Sequence, residues 1–332
     1  MKRRSLLTCS LWLFLPFNNK PILWKNKKTE RGTFSKDGHR LRFYQKEVTE
    51  SFSCLFIADT HLFKDDERGN EYTMYSGRMA KAYNKTKHFQ TGEETHPEKA
   101  LVETLQIAKK QNVSLLILAG DIFSFPSEAA ITFVMDELQK VGIPYLFTAG
   151  NHDWHYEGMP GSSDYLRETW IKKRLTTLYQ GENPLYAVRK INGIRILTID
   201  NSTYEIKEEQ LTFLKEQIAK DEPILLCVHI PFYHQGRGLG FGCAHPEWNG
   251  KNDKNFALER REKWSESGHS IHTLSFYSLV KSSNNIIGII SGHIHQESID
   301  IMKNGLPQIV APANAYGGYL SIAFEKETKI DS

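Results

Sequence analysis

Five apolar runs along the chain predict buried strands. They are SFSCLFIAD (51–59), LLILAGD (115–121), PYLFTAGNHD (144–153), ILLCVH (224–229) and IIGIISGHIH (286–295). Runs that lack polar alternation are typical of strands buried on both faces, as in a sheet that is covered by helices. Each of these runs ends in Asp, Asn or His, so the pattern also predicts chemically active residues at the strand ends.

Apolar positions recur at helical spacing between these strands. The first predicted helix covers 96–111, with Thr95 as its expected N-cap and Pro97 in its first turn. The others cover 127–141, 164–175, 207–220 and 271–282, and the region 296–325 is expected to form short strands separated by glycine-containing turns. Without a repeat or an internal linker, this alternation predicts one layered α/β domain over about 38–325, followed by a tail at 326–332.

Composition and charge exclude several classes of protein. The chain has 332 residues, of which 40% are hydrophobic and 24% charged, so it is not a disordered or low-complexity chain. A net charge of +3 with intermixed signs is too small to favour nucleic acid or a membrane surface as a partner. Four cysteines in a chain of this length do not form a disulfide framework.

The N-terminus has the layout of a secretory signal peptide. Lys2, Arg3 and Arg4 precede a mostly apolar stretch at 5–17, which is too short for a membrane span of about 20 residues. We therefore divide the start of the chain into a signal-like segment and polar tether at 1–37, and expect an exported protein. No clear small-residue cleavage site follows, so a cytoplasmic protein with an irregular N-terminal arm stays open, as do cleavage and lipid attachment.

Seven potential ligands follow the predicted strands, and the carboxyl ends of strands in α/β sheets are where ligands collect. These residues are Asp59, His61, Asp121, Asn151, His229, His293 and His295. Carboxylate, amide and imidazole groups without a thiolate suit divalent first-row metals. Seven ligands are too many for one tetrahedral ion, but they suit two ions that share a carboxylate, hold a phosphate and activate a water.

The same residues resemble the five-block signature of calcineurin-like metallophosphoesterases in order and spacing. The blocks are Asp59-Thr-His61, Gly120-Asp121, Gly150-Asn151-His152-Asp153, His229 and Gly292-His293-Ile294-His295. The resemblance covers about 50–325 and implies an α/β fold, a four-layer α/β/β/α sandwich of two mixed sheets flanked by helices. It also implies phosphoester hydrolysis by a metal-bridging hydroxide, with two divalent ions (Mn, Fe, Zn, Ni or Co) at the strand ends.

The resemblance assigns a role to each of these residues. It implies that the first ion is held by Asp59, His61 and His295. It implies that the second ion is held by Asn151, His229 and His293, and that Asp121 bridges the two. Of the remaining residues, His152 is expected to protonate the leaving oxygen or to stabilise charge in the transition state, while Asp153 orients and charges its imidazole.

Departures from the family pattern narrow the subfamily. Purple acid phosphatases have a tyrosine three residues after the bridging aspartate, where this chain has Ser124, so an iron(III)–tyrosinate centre is disfavoured. Serine/threonine protein phosphatases have an Asp-Arg-Gly signature there, whereas this chain has Gly-Asp-Ile-Phe-Ser-Phe-Pro.

Two long insertions, at 62–96 and 233–270, are expected to cover the site, because loops of this length are usually functional. Within them Arg78 and Arg237 are candidates for binding a phosphate, although each could equally be an exposed loop arginine. Four aromatic residues could stack on a base or pack within the insertions, namely Tyr75, Phe241, Trp248 and Trp264.

These features favour hydrolysis of a phosphorylated small molecule. The insertions could grip a second substituent, so a diester or nucleotide-type substrate is slightly preferred to a monoester. The alternatives are a phosphomonoesterase of a small metabolite, a catalytically silent scaffold, and a nuclease, which the balanced charge disfavours. No specific nucleic-acid binding and no transmembrane span are expected, and the oligomeric state stays open.

Overall fold

The computed structural model describes residues 31–82, 86–237, 242–248 and 265–327, and of Arg78 only the backbone. In this part of the chain the strands, in order, are β1 (Thr33–Asp37), β2 (Arg40–Gln45), β3 (Phe52–Ile57), β4 (Thr86–Lys87), β5 (Glu94–Thr95), β6 (Leu115–Ala119), β7 (Tyr145–Thr148), β8 (Tyr186–Ile191), β9 (Ile194–Ile199), β10 (Ile224–Val228), β11 (Ile286–Ser291), β12 (Ser298–Ile301), β13 (Pro307–Val310) and β14 (Leu320–Lys326). The helices are α1 (Thr73–Met79), α2 (Pro97–Lys110), α3 (Glu128–Val141), α4 (Ser163–Trp170), α5 (Glu208–Ile218) and α6 (Ile271–Ser282).

Most of these strands form two mixed six-stranded sheets. The first has the order β1-β2-β14-β3-β6-β7 and the second the order β12-β13-β11-β10-β9-β8. Strands β3, β6 and β7 run parallel in the first sheet, and β9, β10, β11 and β13 run parallel in the second. The site residues follow the carboxyl ends of these parallel strands. The short β4–β5 pair forms a separate two-stranded sheet within the first insertion.

Three hydrophobic layers hold the two sheets and the helices together. The middle layer joins both sheets through residues such as Phe56, Ile117, Cys227 and Ile290. One outer layer packs the first sheet against α2, α3 and α4, and the other packs the second sheet against α5 and α6. This arrangement confirms the predicted α/β/β/α sandwich, and it explains the unbroken apolar runs because both faces of each central strand are buried.

Helix boundaries follow local capping. The side chain of His96, and not the expected Thr95, caps α2 by accepting from the backbone N–H of Lys99. Ser127 caps α3, and Gly142 ends it in the left-handed region at φ 68°. The helix expected at 164–175 ends earlier as α4, and a π-helical turn follows at Ile171–Leu175.

Two hairpins were not expected from the sequence. Thr33–Asp37, assigned to the tether, forms β1 at the edge of the first sheet, where its alternating and largely exposed side chains give little hydrophobic pattern. The second hairpin joins β8 to β9. Residues 1–30, which make up most of the signal-like segment and polar tether assigned to 1–37, lie outside the described residues, so export stays a prediction. Among the helices that the structure describes, none combines the length and the apolar composition needed to cross a membrane.

A buried ion pair ties α4 to the end of β9, close to the strand ends. Nε of Arg167 donates to Oδ2 of Asp200 at 2.8 Å, and the two side chains are 5% and 1% exposed. The other oxygen of Asp200 accepts from the backbone N–H of Ser202 at 2.8 Å, and the Ser202 hydroxyl accepts from the indole of Trp154 at 2.8 Å. The pair therefore holds the segments after β7 and β9 against each other.

We predict that Arg167→Met lowers the free energy of unfolding by about 3–5 kcal/mol, because it leaves the Asp200 carboxylate buried without its cation. Urea denaturation measures the change. The matched control is Arg189→Met, which removes a pair with Glu182 whose side chains are 41% and 38% exposed. This substitution should lower the free energy of unfolding by less than about 1 kcal/mol. Equal small losses in the two variants would contradict the importance of the buried pair.

Candidate metal centre

The seven expected ligands converge from both sheets, as their positions at strand ends imply. Turns after β3, β6 and β7 supply Asp59, His61, Asp121 and Asn151, while those after β10 and β11 supply His229, His293 and His295. Potential ligand atoms lie within 4.8 Å of one another in one group of Asp59, His61 and His295, and in a second of Asp121, His229 and His293. These groups follow the two ligand sets that the family resemblance implies.

Distances in the first group are those of donor atoms around a common ion. Nε2 of His61 lies 2.9 Å from Nε2 of His295, which lies 3.4 Å from Oδ1 of Asp59. Two donors that each bind a metal at about 2.1 Å are about 3 Å apart at right angles, so this spacing fits one first-row ion.

The second group is built around Asp121. Nε2 of His229 lies 3.1 Å from Oδ2 of Asp121 and 3.1 Å from Oδ1 of Asn151. The same Asp121 oxygen lies 4.0 Å from Nε2 of His61, which belongs to the first group. Asp121 therefore stands between the two groups, in the position of a bridging ligand.

The chemistry of this donor set fits two divalent ions. Asp59, His61, Asp121, Asn151 and His229 are all at most 1% exposed. Carboxylates and imidazoles packed so densely and so deeply are costly to bury unless they bind a cation. The carbonyl of Ala119 lies 2.9 Å from Nδ1 of His229, which turns Nε2 of that ring towards Asp121 and Asn151.

The turns that carry the ligands adopt an unusual backbone. Asp59 and His61 have φ of 57° and 54°, Asp121 has 50°, and His293 and His295 have 74° and 55°. Side chains other than glycine seldom occupy this left-handed region, and each instance costs about 1–3 kcal/mol. Contacts between the turns maintain it, such as the hydrogen bond from the His293 backbone N–H to Oδ2 of Asp59 at 2.8 Å.

Two glycines of the motifs are required by close packing. A Cβ on Gly120, whose φ is 85°, would lie 2.5 Å from the backbone nitrogen of Gly150. A Cβ on Gly150 would lie 2.3 Å from Oδ1 of Asp121. The turns after β6 and β7 therefore approach each other so closely that only glycine fits at these positions.

Asp153 has different partners from those expected. Its Oδ2 accepts the backbone N–H groups of Asp121 at 2.9 Å and Gly150 at 2.6 Å, and its Oδ1 accepts that of Phe123 at 2.9 Å. Both oxygens thus orient the backbone around the Asp121 carboxylate, a role that the family resemblance did not imply for Asp153. Burial and the neighbouring Asp121 carboxylate raise the pKa of Asp153 to about 8 against the effect of these donors.

His152 lies at the rim of the centre. Its backbone N–H donates to Oδ1 of Asp121 at 2.7 Å, and its half-buried ring lies 5.0 Å from the ring of His61. Nδ1 is 3.4 Å from the carbonyl oxygen of Ser124. The imidazole is therefore close to both ligand groups and still reachable from outside.

The electrostatics favour an ionised Asp121. Burial alone would raise its pKa, but His229, His152 and His61 hold the pKa well below its ordinary value. Burial would likewise lower the pKa of His229, yet the Asp121 carboxylate outweighs it and raises that pKa to about 9. The negative charge of Asp121 thus attracts cations to the centre.

Three further residues support the ligands, and the sequence analysis missed them. The Asn201 side chain exchanges hydrogen bonds with the backbone of Ile230, next to His229. The Tyr204 hydroxyl is 2.7 Å from Nε2 of His293. The Asn314 side chain accepts from the Thr60 hydroxyl at 3.0 Å, between two ligands. Asn201 and Tyr204 follow the apolar run of β9. The rule that located the ligands, polar residues directly after a buried strand, could therefore have located these two supporting residues as well.

The substrate-binding candidates of the insertions have mixed outcomes. Arg78 lies in α1, and its side chain is outside the described residues. Nε of Arg237 donates to Asp300 at 2.9 Å, and its side chain is 3% exposed, so the structure holds it in a buried ion pair and lends no support to a phosphate contact.

The four aromatic candidates for stacking on a base also have different outcomes. Trp248 is buried against Tyr204, and Tyr75 is half-buried against the first outer layer, so both pack within the protein. Phe241 and Trp264 lie outside the described residues.

Comparison with known proteins decides the family. The model of the family described as calcineurin-like phosphoesterase matches residues 52–297. The chain belongs to the calcineurin-like phosphoesterase family. Membership of a family of phosphoesterases implies a dimetal centre, and the described residues include groups that could hold such a centre.

Similar proteins include one curated relative and several solved structures. The relative, from Synechococcus, is described as a probable cyclic nucleotide phosphodiesterase and is 27% identical over 134 residues, covering 37% of this chain and 44% of the relative. A dimetal phosphatase from Danio rerio is 13% identical with a TM-score of 0.49, covering 80% of this chain and 88% of that one. A purple acid phosphatase from yellow lupin (Lupinus luteus) seeds is 13% identical with a TM-score of 0.47, covering 90% and 49%.

We predict that Asp121→Ala reduces bound metal to well below two ions per chain, because it removes the carboxylate that both ligand groups share. Metal analysis after dialysis against a defined concentration of Mn²⁺ measures the content. The control is Asp136→Ala, which removes an exposed carboxylate on α3 and should leave the content unchanged. If Asp121→Ala retains two ions, Asp121 is not the bridge.

Proposed function

We propose that this phosphoesterase hydrolyses a phosphodiester, of a nucleotide type, at the centre around Asp121. The observation that carries the proposal is the position of the Asp121 carboxylate between two groups of buried ligands, with His152 at the rim. Two divalent ions, when bound, would hold the phosphate and lower the pKa of a water that attacks phosphorus.

The residues of the chain have separate tasks in this proposal. Asp59, His61 and His295 would hold one ion, while Asn151, His229 and His293 would hold the other. Asp121 would be shared by the two ions, and Asp153 fixes the backbone on which Asp121 stands. His152 donates a proton to the leaving oxygen in this proposal, because its half-exposed imidazole groups with His61 of the first ligand set and with the shared Asp121.

Two observations favour a diester over a monoester. The curated relative is described as a probable cyclic nucleotide phosphodiesterase, although the alignment spans less than half of its length. In addition, the second insertion packs beside the centre, since Trp248 stacks on Tyr204 and Tyr204 contacts His293. An insertion at this place is suited to contact the second substituent of a diester. A monoesterase of a small metabolite is the alternative.

The first metal position is proposed to hold a divalent ion without a tyrosinate ligand. Ser124 stands where purple acid phosphatases have their tyrosine, and its hydroxyl donates to the carbonyl of His61 at 2.9 Å. That hydroxyl therefore supports the turn of a ligand. Manganese, iron(II), zinc, nickel and cobalt all accept this set of nitrogen and oxygen donors.

We expect the metal-free protein, refilled in turn with Mn²⁺, Fe²⁺, Ni²⁺, Zn²⁺ and Co²⁺, to hydrolyse bis-p-nitrophenyl phosphate faster than p-nitrophenyl phosphate. Release of p-nitrophenol measures both reactions. Faster turnover of the monoester would contradict the diester preference and identify a phosphomonoesterase. Two bound ions without turnover of either substrate would favour a silent scaffold.

We predict that His152→Ala keeps its metals but slows hydrolysis by roughly 100-fold or more, as for a lost general acid. The loss should be smallest for esters with good leaving groups, since these need little protonation. Rates for a series of leaving groups, with metal content measured in parallel, test this. The control is His272→Ala on α6. An equal loss of rate for every ester in His152→Ala would argue against the acid role of His152.

A further inference from the structure

We infer that Tyr204 is a positioning residue for the metal ligand His293, and that Trp248 of the second insertion holds Tyr204 in place. The inference rests on the proposed metal centre but not on its substrate. It means that the described part of the insertion contributes to metal affinity through a buried aromatic stack.

The first step is the contact between Tyr204 and His293. The phenol oxygen is 2.7 Å from Nε2, and the two rings meet edge to face with centroids 5.6 Å apart. With Nε2 engaged by the phenol, Nδ1 is the nitrogen that faces an ion. A proton on Nε2 that is donated to the phenol oxygen then fixes the tautomer in which Nδ1 carries the lone pair.

The backbone of His293 is already fixed, so the ring orientation is what Tyr204 controls. The His293 N–H donates to both oxygens of Asp59, at 3.0 and 2.8 Å. Its φ of 74° is compatible with this turn and with few others. Rotation about the side-chain bonds is the freedom that remains, and the phenol contact removes it.

The second step is the restraint on Tyr204 itself. The residue is 5% exposed and has a left-handed φ of 63°, so its position has to be held by its neighbours. Its carbonyl accepts from Sγ of Cys243, at 3.4 Å, and its ring stacks on Trp248 with centroids 4.6 Å apart at 25°. Both of these neighbours belong to the second insertion.

The third step is the restraint on Trp248, which packs against His269 on the side facing away from Tyr204. The indole is 7% exposed and stacks on His269 at 4.8 Å and 19°. Nδ1 of His269 lies 2.9 Å from Oε1 of Glu205, the residue after Tyr204. The described parts of the insertion, 242–248 and 265–270, therefore enclose Tyr204 and Glu205 between them. Loss of the stack would free the phenol and, with it, the His293 ring.

Isothermal titration calorimetry of metal-free protein with Mn²⁺ tests the first step, the contact between Tyr204 and His293. Tyr204→Phe keeps the ring and its stack but removes the hydroxyl, so we expect the affinity for one of the two ions, the one that His293 would hold, to drop by about 10–100-fold. The matched control is Tyr277→Phe, which removes the hydroxyl of a half-buried tyrosine that donates to the carbonyl of Tyr233 at 2.5 Å. That variant should bind both ions as the wild type does. Unchanged binding in Tyr204→Phe would overturn the inference.

A double-mutant cycle tests the second step. Trp248→Leu should weaken the same ion, and Trp248→Phe should restore most of the affinity because it keeps an aromatic ring against Tyr204. In the Tyr204→Phe background, Trp248→Leu should have little further effect, because the indole acts through the hydroxyl that is already absent. Fully additive losses would overturn the link between the insertion and His293.

Two further outcomes separate this inference from its alternatives. If protein loaded with iron(III) has a visible charge-transfer band that disappears in Tyr204→Phe, the phenol is a direct ligand and the positioning role is wrong. Metal affinity is measured without turnover. The expected binding pattern in a protein that hydrolyses no phosphate ester would therefore uphold the inference while contradicting the proposed function.

Discussion

The carboxylate of Asp121 has to stand between imidazoles that come from two different sheets, and the rest of the structure depends on this placement. It lies 3.1 Å from His229 of the second sheet and 4.0 Å from His61 of the first. Such a position exists only where the carboxyl ends of both sets of parallel strands face each other. The packing of the two sheets through one apolar layer is what creates it.

Holding a buried carboxylate there requires a rigid backbone, and the chain supplies it with unusual local structure. Ligand turns lie in the left-handed region, and Gly120 and Gly150 approach within a distance that no side chain allows. Asp153 binds three backbone N–H groups around them. The donor chemistry of the centre and the strain of its backbone therefore depend on each other, since strained turns persist only where their surroundings determine them.

The ligands are supported by a second set of residues that comes from elsewhere in the chain. Asn201 binds the backbone beside His229, Tyr204 contacts His293, and Asn314 accepts from Thr60 between Asp59 and His61. Such contacts orient the metal ligands and tune their basicity. They also explain how an insertion that lies outside the sheets can influence the centre, because Trp248 reaches it through Tyr204.

The apolar runs by themselves determined a layered α/β domain, its five central strands and seven candidate ligands at the strand ends, because runs that end in Asp, Asn or His are visible without any structure. The two-sheet arrangement followed from the resemblance of these residues to calcineurin-like metallophosphoesterases. Tertiary structure alone decided the partners of Asp153, the buried ion pair of Arg237 and the contact of Tyr204 with His293. A carboxylate that binds backbone N–H groups has the same sequence pattern as one that binds an imidazole. Likewise, Arg237 is buried because it pairs with Asp300, which lies on a strand about 60 residues further along the chain. Contacts between distant segments fix these roles, and local patterns carry no information about them.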